Sequence, residues 1–494
     1  MTPNAARTSP VARSDVEYVS LPVGVLARGD RRFEGESYLT GGYAIRLQIE
    51  AGEAPFAAVD ALADVWQPGR LKGIRVSPLQ GTPFLTATQM FDIRPAPRKW
   101  LAPAKTSDLA RRYVEHDWIL VTCSGNVGDA ILGYAPHLGI IISHDLLRVV
   151  VKDDSQRGYL YAFLRSRFGQ AMLRSSQYGS IIKHLEPEHV QSIPVVLAPK
   201  SLRDNVNERI AAVFQLRNEA FAVTRDAEAR FETVLGLRVD TPTDQTEYVI
   251  SSAPLFRSRR RLDAYHYNPT ARALFEALHK SRRPVDRLET VTERIILPQR
   301  FQRKASPEHG TPYLDSEDIF KINPEITKFI PNRLRNEEDY FVRRDWILVA
   351  RSGQIYGING SCMLATAWHE KKIVSEHIIR VVPQRAKVRA GYLCMALGHP
   401  TIGRPLVLRL AFGTEVPEID PDDLADFPVV RLGGDEDIIA DAVERASDLR
   451  RQANEQEDRA VRLVEGHVES VISGAPHNKL GVAPKLKKRG DSPA

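Results

Sequence analysis

Two short runs of cations have the make-up to grip a polyanion. QPGRLKGIR offers Arg70, Lys72 and Arg75, and PQRFQRK offers Arg300, Arg303 and Lys304. Proline and glycine mark both runs as turn-like. Lysine and arginine hold phosphate oxygens as charges, and arginine can also read a guanine edge through two parallel N–H groups. A charge cluster by itself is usually a solvated surface. These two gain weight because they occupy matching places in otherwise diverged stretches. Two Ser-Gly turns recur in the same way: SGNVGD supplies Ser124 and Asn126, and RSGQIYG supplies Arg351, Gln354 and Tyr356. Each follows an apolar run, as a polar loop closing a strand would.

No catalytic constellation accompanies them. A phosphate-cradling loop needs GxxxxGK[ST] and a dinucleotide site needs GxGxxG at the start of a helix; neither occurs. YNPT from Tyr267 lacks the second proline and the aromatic of an amino-methyltransferase tetrapeptide, and no glycine motif for S-adenosylmethionine stands beside it. His144, His184, His189, His369 and His377 lack metal-ligand spacing. Cys123, Cys362 and Cys394 are odd in number and form no CxxC, which fits a reducing cytoplasm better than a disulfide framework or a zinc site. The expectation is a chain with no catalytic residue, no metal and no cofactor of its own.

The matching places belong to a long repeat. DWILVTCSGNVG from Asp117 returns as DWILVARSGQIYG from Asp345. RRFEGESY returns as RRLDAYHY, VDALADV as VDRLETV, GTPFL as GTPYL (each followed by Phe-x-Ile), LLRVV as IIRVV and GYLYAFL as GYLCMAL. YGSIIKHLEPEHVQSIPVV returns as FGTEVPEIDPDDLADFPVV with its glycine and both prolines in register. Chance does not keep such order: the chain is two copies of a module of roughly 230 residues.

Stepping along one copy gives the elements that must hold these turns. DWILV and LLRVVV read as buried strands, GYLYAFLRSRFGQAMLRSS as a helix, and SIPVVLAP as a short strand closed by Pro199. A long helix follows in each copy. Val213, Leu216, Ala220, Val223, Ala227 and Val234 keep a 3-4 spacing interrupted at Arg230; Ala442, Ala446, Leu449, Ala453, Gln456, Ala460, Leu463 and His467 repeat it. Seams so rich in alanine suit two helices packed closely on each other, with Val213, Leu216, Ala220, Val223, Ala446, Leu449, Ala453 and Ala460 at the interface. The alternative is that each helix packs only on its own module. The expected organisation is a tail over 1–15, a first module over 16–199, its helix over 200–237, a linker over 238–255, a second module over 256–432, its helix over 433–473 and a basic tail over 474–494.

Composition agrees. The 494 residues are 43% hydrophobic and 26% charged, enough for more than one globular core. No run approaches the ~18 apolar residues of a membrane span, and MTPNAARTSPVARSD has no apolar segment of a secretory signal, so a cytoplasmic protein with no membrane partner is expected. A net charge of +6 permits a nucleic-acid partner without requiring one.

The duplicated order of DWILVTCSGNVGDAI, YGSIIKHLEPEHVQSIPVVLAP and a long helix resembles the DNA-specificity subunit of type I restriction–modification systems, over most of the chain from about Val16 to Ile472. The resemblance implies a mixed α/β fold of two tandem target-recognition domains, each followed by a long helix, the helices pairing as an antiparallel coiled coil. It implies that each module reads one half of a bipartite double-stranded DNA target. It further implies partners: two DNA methyltransferase subunits that carry the S-adenosylmethionine, and a restriction or translocase subunit. A helix over 200–237 would span ~55 Å, and half-sites on one face of B-DNA lie about 34–36 Å apart per turn, so such a strut suits a spacing of about one turn or more. Two other readings stay open: an enzyme with an unrecognised motif, and a duplicated protein-binding adaptor in a phage-defence complex.

Overall fold

The computed structural model describes residues 23, 38, 41–179, 183–237, 248–253, 261–306, 309–331 and 337–474. The expected N-terminal tail, most of RRFEGESY, most of the linker and the basic tail from residue 475 lie outside these.

The first copy runs through helix α1 (Gly42–Ala51), strands β1 (Phe56–Ala58), β2 (Ala63–Trp66), β3 (Arg75–Val76), β4 (Thr82–Leu85), β5 (Lys99–Leu101), β6 (Ile119–Thr122), β7 (Ala130–Leu132), β8 (Ile141–Ile142) and β9 (Leu146–Val151), helices α2 (Arg157–Arg165) and α3 (Arg167–Ser175), strand β10 (Pro194–Val196) and the long helix α4 (Lys200–Leu235). The second runs through α5 (Pro269–Lys280), β11 (Val285–Arg287), β12 (Thr292–Ile296), β13 (Thr311–Leu314), β14 (Lys328–Ile330), β15 (Ile347–Ala350), β16 (Cys362–Leu364), β17 (Ile373–Val374), β18 (Ile378–Pro383), α6 (Ala390–Gly398), α7 (Gly403–Leu408), β19 (Pro428–Val430) and the long helix α8 (Asp435–Gly474).

The main sheets repeat strand for strand, and the smaller sheet of the first copy has one strand more, β3. The main sheet is antiparallel, β2-β9-β6-β7 in one copy and β12-β18-β15-β16 in the other. A smaller sheet, β3-β5-β4-β8 or β14-β13-β17, carries one parallel pair, β4 with β8 and β13 with β17. The Ile-Leu-Val of DWILV lies in an inner, fully buried strand both times. The aspartate before it adopts a left-handed backbone in both, with φ 69° at Asp117 and 70° at Asp345, a conformation aspartate tolerates better than most residues. The arginine of LLRVV and IIRVV is buried in both copies. Arg148 donates to the Ser143 carbonyl at 3.0 Å and Arg380 to the Ser375 carbonyl at 2.9 Å, so each ties its strand to the preceding turn.

GYLYAFLRSRFGQAMLRSS departs from the expected single helix. It breaks at Ser166, whose extended backbone caps α3: its Oγ accepts from the Gly169 N–H at 3.1 Å and donates to the Phe163 carbonyl at 2.6 Å. A hydroxyl that satisfies both the end of one helix and the start of the next makes a sharp corner cheaper than a continuous rod.

The long helices meet each other and run antiparallel. Arg217 reaches Glu457 (2.8 Å), Arg450 reaches Thr224 (2.6 Å) and Arg230 reaches Asp435 (2.6 Å), one number rising as the other falls. Val213, Ala220, Ala446, Leu449, Ala453 and Ala460 are buried as expected. Leu216 and Val223 are half-buried and pack beside Ala220, Ala446 and Leu449. The buried set on α4 is Val206, Ile210, Val213, Arg217, Ala220, Thr224, Ala227, Glu228, Phe231 and Leu235: Val213, Ala220 and Ala227 keep their expected places, while Arg217 and Thr224 stand where Leu216 and Val223 were expected, and the 3-4 spacing runs on to Leu235. Arg230 therefore interrupts nothing.

Each module also packs on both helices. The first module's core includes Val206, Ile210 and Val213 near the start of α4 and Val461, Val464 and Val468 near the end of α8. The second module's core includes Ile439, Ala440 and Val443 near the start of α8 and Ala227, Phe231 and Leu235 near the end of α4. The modules thus sit at opposite ends of the helix pair, related by an approximate two-fold. Between them the repeated Phe-x-Ile segments pair with each other. Ile93 N–H donates to the Phe320 carbonyl (2.8 Å) and Ile322 N–H to the Phe91 carbonyl (2.7 Å), around an antiparallel bridge from Asp92 to Lys321.

Candidate nucleic-acid interface

In each copy the structure brings the basic run against the Ser-Gly turn. In the first, Gln67 Nε2 donates to the His144 carbonyl (2.8 Å) and to Cys123 Sγ (3.3 Å), the residue before Ser124. Buried Arg112 holds the run from beneath, donating to the Gly69 carbonyl (2.8 Å) and the Ser107 carbonyl (2.6 Å). The Leu71 N–H points at His144 Nδ1 (3.5 Å). Burial pushes that imidazole below its ordinary pKa, with Arg112 and Arg70 adding to the effect against Asp145, so it stays neutral and able to accept. On this support Arg70, Lys72 and Arg75 are exposed and make no ion pair among the described residues. Arg75 opens β3, paired with Leu101. Ser124 is half-buried; Asn126 is exposed and donates to Asp129 at 2.7 Å. Gly125 between them has φ 74° and open space around it.

The second copy builds the same turn from other chemistry. Tyr340 takes the place of Arg112, its hydroxyl donating to the Gln299 carbonyl at 2.7 Å. Arg300 pairs with Glu418 (2.9 Å), Arg303 with buried Glu376 (2.8 Å), and Arg351 with Glu418 (2.7 Å). Lys304 is exposed without an ion pair among the described residues. Gln354 donates to the Glu415 carbonyl at 2.8 Å, and Tyr356, in the longer second turn, is 68% exposed. Buried Asn359 donates to the carbonyls of Gly353 (3.0 Å) and Pro417 (2.8 Å), and Arg404 donates to that of Gly357 (2.7 Å), which fixes the loop.

Sequence reasoning placed the cations and missed the acids that meet them. Glu376 and Glu418 stand where the first copy has His144 and His184. For Glu418 the signal lay inside the quoted repeat, where KHLEPE aligns with PEIDPD, but a likeness search favours positions that agree and passes over those that differ; Glu376 lies just before the quoted IIRVV. Among the described residues no group of histidines, cysteines and carboxylates could hold a metal ion, and no helix is long and apolar enough to cross a membrane.

No family model matches the chain, and no curated protein matches it. Solved structures resemble it, among them the following three. The S subunit of a type I restriction–modification system from M. genitalium is 12% identical, covering 85% of this chain and 95% of that one with a TM-score of 0.25. A structure described as the basis of complex assembly and conformational transition of the type I R-M system is 15% identical over 86% of this chain and 100% of that one, TM-score 0.26. The HsdS subunit from Thermoanaerobacter tengcongensis is 14% identical over 85% of this chain and 97% of that one, TM-score 0.26.

Proposed function

We propose that this chain is a non-catalytic DNA-recognition subunit that reads a bipartite duplex target, one module to each half, and directs DNA methyltransferase subunits to it. The observation that carries the reading is the twice-built pairing of a cation-bearing turn with a Ser-Gly turn, at matching places in two modules fixed to opposite ends of one antiparallel helix pair. A duplicated scaffold with diverged turns suits a target whose halves differ. Arg70, Lys72, Arg75, Ser124 and Asn126 would serve one half; Arg300, Arg303, Lys304, Arg351, Gln354 and Tyr356 the other. The helix pair would hold the spacing and offer its outer faces to two methyltransferase subunits, which would carry the S-adenosylmethionine, and the assembly would accept a restriction or translocase subunit.

Salt dependence tests the DNA contact. Arg70→Ala/Lys72→Ala should weaken binding to every duplex and lower the slope of log K against log salt by about two units, one for each phosphate no longer neutralised. Gel shifts of parent and double variant across a salt series measure it. Equal slopes would leave the cluster a solvated surface, and no duplex binding by the parent, alone or with the subunits encoded beside it, would favour the adaptor reading.

A further inference from the structure

The two Ser-Gly turns are braced from the same backbone position by opposite chemistry. In the first copy Ser124 bridges to His184 and His184 to Tyr178; in the second Ser352 bridges to Glu418 and Glu418 to Phe412. His184 and Glu418 are therefore equivalent. The His184 ring is exposed and lies tilted against Tyr178, with centroids 5.8 Å apart. The Glu418 carboxylate is 21% exposed and spans two guanidinium groups: Oε2 meets Arg351 Nη2 at 2.7 Å, and Oε1 meets Arg300 Nη2 at 2.9 Å and accepts from Ser352 Oγ at 3.2 Å. Arg351, only 14% exposed, stands where the first copy has Cys123. Arg351 and Ser352 fix the carboxylate from below, and the carboxylate fixes Arg300, which remains 67% exposed.

A guanidinium held by a carboxylate has given up rotamer freedom before any ligand arrives, so less remains to be given up on binding. Its planar fork also stays aimed, which a bidentate contact to guanine O6 and N7 requires and a phosphate contact does not. Arg70, the counterpart of Arg300, makes no ion pair among the described residues and keeps the freedom of a plain charge. Building on the DNA-recognition reading above, we propose that Arg300 is a specificity-determining residue that reads a guanine in the second half-site, that Glu418 is its positioning residue, and that Arg70 contacts phosphate without reading sequence.

The full chain, with any subunits its DNA binding requires, is incubated with a randomised duplex pool, and bound DNA is sequenced for the parent and for Glu418→Gln, Arg300→Lys and Arg70→Lys. The parent should yield a two-part motif. Glu418→Gln and Arg300→Lys should each relax the preference for guanine about tenfold at one and the same base pair, in one half only. Arg70→Lys should leave both halves unchanged. Because Arg300 is exposed, Arg300→Lys should melt with the parent, so the test survives if Glu418→Gln fails to fold. A parent that selects no sequence overturns the recognition reading and this inference with it. A parent motif left intact by Arg300→Lys, or relaxed at a base pair by Arg70→Lys, overturns this inference alone.

Discussion

Single residues decide which cations of this chain are available and which are structural. Arg112, Arg148 and Arg380 are fully buried among carbonyls, whereas Arg70 and Lys72 stand in water; the alphabet gives all of them one sign. The deepest carboxylate among the described residues is Glu457 on α8, 1% exposed, which accepts from Arg217 (2.8 Å), Asn323 (2.6 Å) and the Tyr161 hydroxyl, with Arg165 at 3.6 Å. Burial by itself would raise its pKa; Arg217 and Arg165, with the hydrogen bonds from Arg217 and Tyr161, hold it well below the usual carboxylate range. It is charged at neutral pH and joins both helices to both modules. Glu457→Gln would leave two buried guanidinium groups without a counter-charge, at a cost of about 3–5 kcal/mol. Urea unfolding at pH 7 measures this, and a loss below about 1 kcal/mol would mean the site rehydrates. The same pair explains why apolar spacing puts part of the α4 seam one residue off. Apolar periodicity passes over a buried arginine, so Arg217 yields to Leu216 and the pattern slides.

At the scale of elements, what recurs in the sequence is what packs identically. The GYL of each copy places a glycine where a module helix touches its own long helix. A Cβ on Gly158 would come within 2.8 Å of the Asn207 Cα, and one on Gly391 would run into the Ala440 carbonyl oxygen. The tyrosine that follows sends its hydroxyl to a strand carbonyl, Tyr159 to Val196 and Tyr392 to Val430. Gly391→Ala should push α6 from α8 and cost about 1–3 kcal/mol through overpacking; a melting curve superimposable on the parent's would show the contact to be slack. The strands, the long helices and their pairing were legible because each is an apolar pattern repeated twice. The corner at Ser166 was not, since one serine with its two hydrogen bonds leaves no periodic trace. Nor were the small sheets, whose strands of two to four residues are too short to show alternation. The carboxylates of the second turn were hidden for a different reason: their meaning lies in a tertiary contact with arginines far away in the chain.

For the whole molecule, the proposed reading of two half-sites would need a fixed distance between the modules, which helices alone would leave free to rock. The paired Phe-x-Ile segments remove that freedom, and arms reach across beside them: Arg94 to the Gly398 carbonyl (2.9 Å) and Arg165 to the Asn323 carbonyl (3.2 Å). Asp92 sits at the centre of this junction. Burial, helped slightly by Glu317 and opposed by Arg98 and Lys321, raises its pKa from 3.8 to about 7. Between those two values the folded protein binds a proton that the unfolded chain has released, so the Asp92 contribution to stability falls as pH rises through this window and levels off above it. Asp92→Asn keeps the neutral shape at every pH. The difference in Tm between variant and parent should therefore widen in the variant's favour from pH 5 to about pH 7 and hold constant above, because every other titrating group is common to both proteins. Thermal melts of the pair at half-unit steps measure that difference directly. Curves that stay parallel across the range would mean that the carboxylate reaches water and that the junction is not closed around it.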